Sequence, residues 1–262
     1  MPAVALSKDL SAFSVDTVDQ KAALVGGSIE WENMTFDGTV ITAAHVQPTK
    51  YARKCKVTGE FIETISGVVR ATLKDVSAFT LGGNSFAGFL KSMTINRTNA
   101  VVETMGDGTE SSYPVFTRAD TSISVELMIA AADFPDFMAA MDVDGQAAAE
   151  LDVSVTSNSV AYTISGVCTL VSLPIESGGM MKANLTIQGD ANFSAPSGTT
   201  TMLEKGFNAP QTVMALSVVT KATTGLTVAG NFLPTSISYS IAEGQPTKTS
   251  ITWESQGAIT LT

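Results

Sequence analysis

The segment Ile175-Glu176-Ser177-Gly178-Gly179-Met180-Met181-Lys182-Ala183-Asn184-Leu185-Thr186-Ile187 returns in pattern, without a gap, as Ile241-Ala242-Glu243-Gly244-Gln245-Pro246-Thr247-Lys248-Thr249-Ser250-Ile251-Thr252-Trp253. In each copy two alternating runs flank a turn, with Gly178 and Gly179 in one and Gly244 in the other, which is how a β-hairpin with one buried face is written. A chain that carries the same hairpin twice is restricted to architectures that use one supersecondary unit twice, a repeated scaffold.

A fainter repeat lies upstream. Arg53 leads into Val57-Thr58-Gly59-Glu60-Phe61-Ile62, and Arg118 leads, with one single-residue gap, into Ile123-Ser124-Val125-Glu126-Leu127-Met128. Each strand runs into helical spacing, at Val69, Leu73 and Val76 in the first case and at Phe134, Phe137, Met138 and Met141 in the second. Two organisations fit this order. In the nested one, 1–24 is an N-terminal arm, 25–84 opens an outer unit, 85–193 is a complete inserted unit, and 194–262 is a linker followed by the closing half of the outer unit. In the other, the duplication is sequential.

A chain of 262 residues is long enough for a sizeable core, and only 15% of it is charged. Thr, Ser, Val, Ala and Gly dominate, which predicts a mainly β protein with a bland surface, much of it covered by neighbours. The formal charge of −10 and the lack of any basic run argue against an electrostatic grip on nucleic acid. Residues 1–20 do not read as a secretory signal, and no stretch approaches the roughly 18 apolar residues of a membrane span. Cys55 and Cys168 sit on separate predicted strands, without the spacing of a zinc site.

Residues that carry chemistry are scattered. His45 is the only histidine and has no nucleophile elbow near it. Asp142-Val143-Asp144-Gly145 opens like a calcium loop but lacks the remaining ligands and the closing Glu, and Gly106-Asp107-Gly108 lacks the Lys-Ser/Thr of a phosphate loop. Glu30 and Glu32 flank Trp31 at strand spacing, and Asp133 and Asp136 occupy a helix first turn, where acids suit the dipole. The sequence therefore predicts no catalytic residue, no metal ligand and no cofactor.

The hairpins carry more information. Ile237, Tyr239, Ile241, Ile251 and Trp253 form an apolar set, opposed by Ser236, Ser238, Ser240, Ser250, Thr252 and Glu254. The other copy sets Val171, Leu173, Ile175, Leu185 and Ile187 against Ser172, Asn184, Thr186 and Gln188. One face of each hairpin is predicted to pack on a core and the other to meet water. That second face is either an ordinary solvated surface or the lining of a channel, coated with small hydroxyl and amide groups that do not hold a polyanion.

On these residues the chain resembles the tail tube proteins, or major tail proteins, of long-tailed bacteriophages. The resemblance is best over 88–193. There, Phe89-Leu90-Lys91-Ser92-Met93-Thr94-Ile95 is followed by a long polar loop through Tyr113-Pro114, then Arg118 into Ser122 to Leu127, a helix at Phe134 to Met141, and strands closing at Thr186-Ile187-Gln188-Gly189. It is a match of pattern and element order. It implies a β-sandwich or barrel with a short flanking helix, whose sheets join side by side into rings that stack into a hollow tube.

The extra elements in 27–79 and 233–262 exceed one such domain. They imply either two tube-like domains per chain, so that three chains complete the ring that six single-domain subunits make, or a decorating domain outside a hexameric tube. The resemblance further implies a virion tail location after assembly in the host cytoplasm. The implied partners are copies of itself together with tape-measure, terminator and baseplate proteins, and DNA is touched only in passage, without specific binding. The loops 98–117, with Met105, Gly106, Asp107, Gly108, Thr109, Glu110 and Ser111 at the tip, and 37–50 are candidate contacts between rings. The arm through Ala23 is a third. A baseplate hub, a capsid decoration protein and a carbohydrate-binding adhesin are the competing classes. An enzyme fits least.

Overall fold

The computed structural model describes residues 4–5, 10–37, 48–62, 64–65, 69–70, 72–105, 111–141, 150–157, 160–174, 180–194, 206–209, 211–220 and 225–262. The fold is mainly β and antiparallel, as the composition predicts. The strands are β1 (Val4–Ala5), β2 (Leu10–Val15), β3 (Val18–Asp19), β4 (Leu24–Asp37), β5 (Pro48–Ile62), β6 (Thr64–Ile65), β7 (Val69–Arg70), β8 (Val76–Leu81), β9 (Asn84–Ser85), β10 (Leu90–Met105) and β11 (Ser112–Ala130). After the helix α1 (Phe134–Met141) come β12 (Glu150–Ser157), β13 (Val160–Ser172), β14 (Met180–Ser194), β15 (Met214–Thr220), β16 (Thr227–Ala242) and β17 (Lys248–Leu261).

These strands fall into two sets with one connectivity. The outer set runs β4-β5-β17-β16-β15-β2-β3, and the inner set, contained between β5 and β15 in the sequence, runs β10-β11-β14-β13-β12-β8-β9. Register agrees over most of each set, the exception being an added β-bulge at Gly230/Phe232 in the β16–β17 pair. Ile29 faces Val57 as Ile95 faces Ile123, and Cys168 faces Ile187 as Pro234 faces Trp253, so these positions lie 66 residues apart (29 to 95, 57 to 123, 187 to 253), while β12 and β15 correspond at 63. Four β-bulges also correspond: Leu24/Gly26 with Leu90/Ser92, Met34/Thr35 with Ala100/Val101, Cys168/Leu170 with Pro234/Ser236, and Thr156/Ser157 with Val219/Thr220. At one of them Thr169 and Thr235 each donate a hydroxyl hydrogen bond to the facing carbonyl, of Thr186 at 3.2 Å and Thr252 at 3.4 Å. A bulge bends its strand and adds twist, so matching bulges give both sets the same curvature.

Alternation explains the layers. The inward residues of β5, β17 and β16 (Val57, Phe61, Ile251, Trp253, Ile237, Tyr239) and those of β10, β11 and β14 (Met93, Ile95, Ile123, Val125, Leu127, Leu185, Ile187) are all buried. Over this apolar face the short strands β15 and β2 fold back as a second layer. Phe13 of β2 packs edge-on to Phe61 of β5 at 5.5 Å between ring centres and lies 6.1 Å from Trp253 of β17. In the inner set Phe79 holds the place of Phe13 with full burial, and α1 closes the end through Phe137, set edge-on to Phe86 at 6.0 Å. Each such aromatic contributes roughly 1.5–3 kcal/mol by leaving water. At the centre of the inner set Gly166 faces Gly189, and a Cβ on either would run into the backbone of the opposite strand, so this close approach admits only glycine.

The sets meet edge to edge. β16 runs beside β15 over its first half and beside β10 over its second, from Thr98↔Ser236 to Ser92↔Ala242. The result is one continuous antiparallel layer, β4-β5-β17-β16-β10-β11-β14-β13.

Several expectations change. Residues 10–24, assigned above to a free arm, form β2, β3 and the start of β4, because Leu10, Phe13 and Val15 alternate inward and are buried. The helical spacing at Val69, Leu73 and Val76 gives no α-helix. Leu73–Asp75 is a single 3₁₀ turn closed by the Asp75 carboxylate accepting from the Thr72 N–H at 2.7 Å, after which the alternation of Val76–Leu81 selects strand. The spacing at Phe134 to Met141 does give α1. The loop expected over 98–117 is mostly a hairpin stem, paired out to Met105↔Ser112, and the one expected over 37–50 begins within a stem that ends at Asp37↔Pro48. His45, Gly106 to Glu110, Asp142 to Gly145, Gly178 and Gly179 lie outside the described residues. Gly244 does turn its hairpin, at φ +72°.

Cys55 is fully buried between Lys54 and Lys56 on β5, and burial pushes its thiol up to about 12, while Cys168 is partly accessible. A thiol whose folded value is raised stays protonated at neutral pH and loses stability for the fold as pH climbs above the unfolded value of about 8.5. Thiol titration at pH 8 should therefore consume one equivalent quickly, at Cys168, and the second only on unfolding. Equal rates for both would contradict the buried position of Cys55.

Candidate functional site

The outward side of the continuous layer is the surface built from the residues singled out in the hairpins. Across it the registers align a polar row on seven strands, Glu60, Ser250, Ser238, Asn96, Ser122 and Gln188 following Gly26, one residue per strand. A neighbouring row contains Ser240, Thr94, Ser124, Thr186 and Leu170. Ser236, Ser172 and Gln188 are exposed, and Ser238, Ser240, Ser250, Thr252, Asn184 and Thr186 are half-buried among their neighbours on this side. The structure thus brings the two hairpin faces into one sheet surface, with β10 and β11 filling the space between them. Asn96, Thr98, Ser122 and Ser124 on those two strands were not singled out, although the buried alternation of Met93, Ile95, Ile123 and Val125 carries the signal for them.

Two lysines on this side are paired with carboxylates within the sheet. Lys248 reaches Glu60 at 2.8 Å and Lys182 reaches Glu126 at 2.9 Å, the same diagonal pair in corresponding places of the two sets. Both are surface pairs, each contributing about 0–1 kcal/mol, so their main effect is to neutralise a face otherwise made of hydroxyls and amides.

Glu254 departs from the expected open position. Beyond Thr98, β10 leaves β16, and the β10–β11 hairpin leans onto the ends of β5 and β17. There Lys54 is held between Glu103 at 2.6 Å and Glu254 at 2.8 Å, the Ser112 hydroxyl donates to Glu103, and the Gln256 amide donates to the Pro114 carbonyl at 2.9 Å. Burial acts to lower the Lys54 pKa, but the hydrogen bonds and charges of Glu103 and Glu254 outweigh it, and the net shift is upward. A raised lysine value means this contribution is complete below the unfolded value near 10.4 and is lost only as pH rises through the folded one.

The junction between sets has buried polar anchors. Arg97 donates to the Phe207 carbonyl at 2.6 Å and stacks on its ring at 5.8 Å, and the Asn99 amide donates to the Pro234 carbonyl at 2.7 Å. Both bonds run from an inner-set strand to the outer-set part of the chain, so the junction is fixed by side chains as well as by its ladder. A polar depression of about 460 Å³ opens over β10, β11 and β14, lined by Asn96, Thr98, Asp120, Ser122, Gln188 and Gly189. Among the described residues, no group of three or more His, Cys, Asp or Glu is gathered to hold a metal.

No protein-family model matches the chain, and a comparison with curated proteins returns no match.

Replacing Lys54 by Ala leaves two carboxylates facing one another beneath the hairpin. The expected outcome is a loss of roughly 1–3 kcal/mol in denaturant unfolding, the range for charge-assisted hydrogen bonds, with faster amide exchange across Val101–Thr117. Unchanged exchange there would mean that the cluster does not hold the hairpin down.

Proposed function

We propose that this protein is a self-assembling structural subunit, the repeating unit of a hollow tube of the phage tail type, and that it acts on no substrate. The two strand sets are the two tube-like domains of one chain, the inner a copy of the outer inserted between β5 and β15, and three chains close a ring that stacks on the next. Tape-measure, terminator and baseplate proteins would be its neighbours in a virion tail.

The observation that carries this reading is the internal junction. Two sets of identical connectivity already continue each other's sheet within one molecule, which is the operation a ring repeats between molecules. The polar side of that sheet suits a lumen. Lys248 and Lys182 are paired within the sheet, many of the other groups are hydroxyls and amides, and the chain as a whole is acidic, which disfavours a grip on a passing polyanion. A closed oligomer without stacking, as in a capsid decoration protein, is the competing reading.

Negative-stain electron microscopy over a range of protein concentrations tests it. Long hollow tubes with a regular axial repeat and three-fold end views are expected. Monomers or isolated closed particles at every concentration would refute the tube.

A further inference from the structure

The correspondence between the sets specifies where the next chain binds. In the outer set, residues 236–242 of β16 are covered on their outer side by β10. Their counterparts in the inner set, Leu170 to Ser172 of β13, are paired with β14 on one side, and among the described strands none lies on the other, since β12 ends its pairing at Val167. Leu170 is 55% exposed at this edge. The counterpart of β10 is β4, whose outer edge is covered, among the described residues, where Val4 and Ala5 pair with Ile29 and Ser28.

Two further observations mark the same missing neighbour. Arg97, on the covered side of the junction, finds its acceptor across it at Phe207, whereas Trp31, at the corresponding position of β4, has a buried Nε1 with no acceptor among the described residues. The β10–β11 hairpin covers Lys54 and Glu254, whereas their counterparts Asp120 and Gln188 line the open depression of about 460 Å³.

We propose that copies of this chain join by repeating the internal junction: β4 of one copy lies antiparallel along the free edge of β13 in a second copy, with Glu30 opposite Ser172, Trp31 opposite Val171 and Glu32 opposite Leu170. This rests on the self-assembly reading above and adds its contact and register. The register is that of β10 on β16, where Asn96 faces Ser238, Arg97 faces Ile237 and Thr98 faces Ser236. The ladder stops at Pro174, which has no N–H to donate. Because the second copy needs Ile29 and Ser28, the short strand β1 must leave β4, so the N-terminal residues act as a cover over the edge until another chain displaces them. The β4–β5 hairpin stem of the first copy then reaches the Asp120 and Gln188 depression of the second, as the β10–β11 hairpin reaches Lys54 and Glu254. The contact is heterologous, so one geometry serves every junction of a ring.

Cysteine pairs in the full chain test the register. On a Cys168→Ser background, Glu30→Cys with Ser172→Cys, and separately Glu32→Cys with Leu170→Cys, replace exposed residues and leave the core intact. A pair offset by four residues, roughly 13 Å along the strand, Gly26→Cys with Ser172→Cys, serves as the comparison. Asn96→Cys with Ser238→Cys calibrates linking inside one chain. With a short thiol cross-linker, both in-register pairs should give covalent ladders between chains that end at the ring size, at least tenfold above the offset pair. Assembled particles in which the in-register pairs link no better than the offset pair would overturn the contact while leaving self-assembly standing. Absence of particles at any concentration, with normal linking of the calibration pair, would overturn both.

Discussion

An antiparallel sheet cannot end without leaving a row of N–H and C=O groups unpaired, and the arrangement of this protein follows from where that row is closed. Inside the chain the problem is solved once, where β10 lies along the second half of β16 from Thr98↔Ser236 to Ser92↔Ala242. That ladder turns two sandwich-like sets into one layer, fixes which sides of β16, β17, β10 and β11 form a common surface, and sends the β10–β11 hairpin onto β5 and β17. The side-chain anchors at Arg97 and Asn99 depend on it, since each finds its acceptor only when the two sets are in register. At β4 and β13 the same problem remains, met at one edge by two residues of β1 and at the other by none of the described strands.

Much of this was legible because alternation survives in the strands that form the faces. The hairpin faces around Ser238 and Thr186 fall as the sequence predicts, and so does α1. What stayed hidden has physical causes. Ser11-Ala12-Phe13-Ser14-Val15 corresponds to Ser77-Ala78-Phe79-Thr80-Leu81, yet the turns after them look unrelated. Gly82 and Gly83 take positive φ at no steric cost, while Asp16 and Thr17 reach φ +48° and +72°. The outer turn tolerates this because Asp16 is tied to Ala215 twice, its N–H donating to that carbonyl at 2.8 Å and its carboxylate accepting from that N–H at 2.9 Å. Tertiary bonding thus replaced the local turn signal that would have revealed β2 as a strand rather than an arm. The hairpin stem at 98–105 was equally hidden, because beyond the core its apolar residues Val101 and Val102, like Val115 and Phe116 across from them, are adjacent rather than alternating and mark no buried face. The cluster of Lys54, Glu103, Glu254 and Ser112 joins three distant stretches, β5, the β10–β11 hairpin and β17, and leaves no spacing to find.

The two strand sets also separate packing from surface in the same way. Burial is confined to the layer beneath, where Phe13, Phe61 and Trp253 or Phe79, Phe86 and Phe137 fill the space between strands. The outward side is left free of packing duty, and in corresponding places it carries the pairs Lys248–Glu60 and Lys182–Glu126.

Hydrogen–deuterium exchange, read by mass spectrometry on dispersed and on assembled protein, reports on the β4 and β13 edges, because edge pairing is a change in backbone hydrogen bonding. Assembly should slow exchange at residues 168–172 of β13, with amides of β1 becoming faster as they leave β4, and residues 92–98 and 236–242 should be protected in both states. Assembled protein whose β13 edge exchanges as quickly as in the dispersed chain would contradict this pairing.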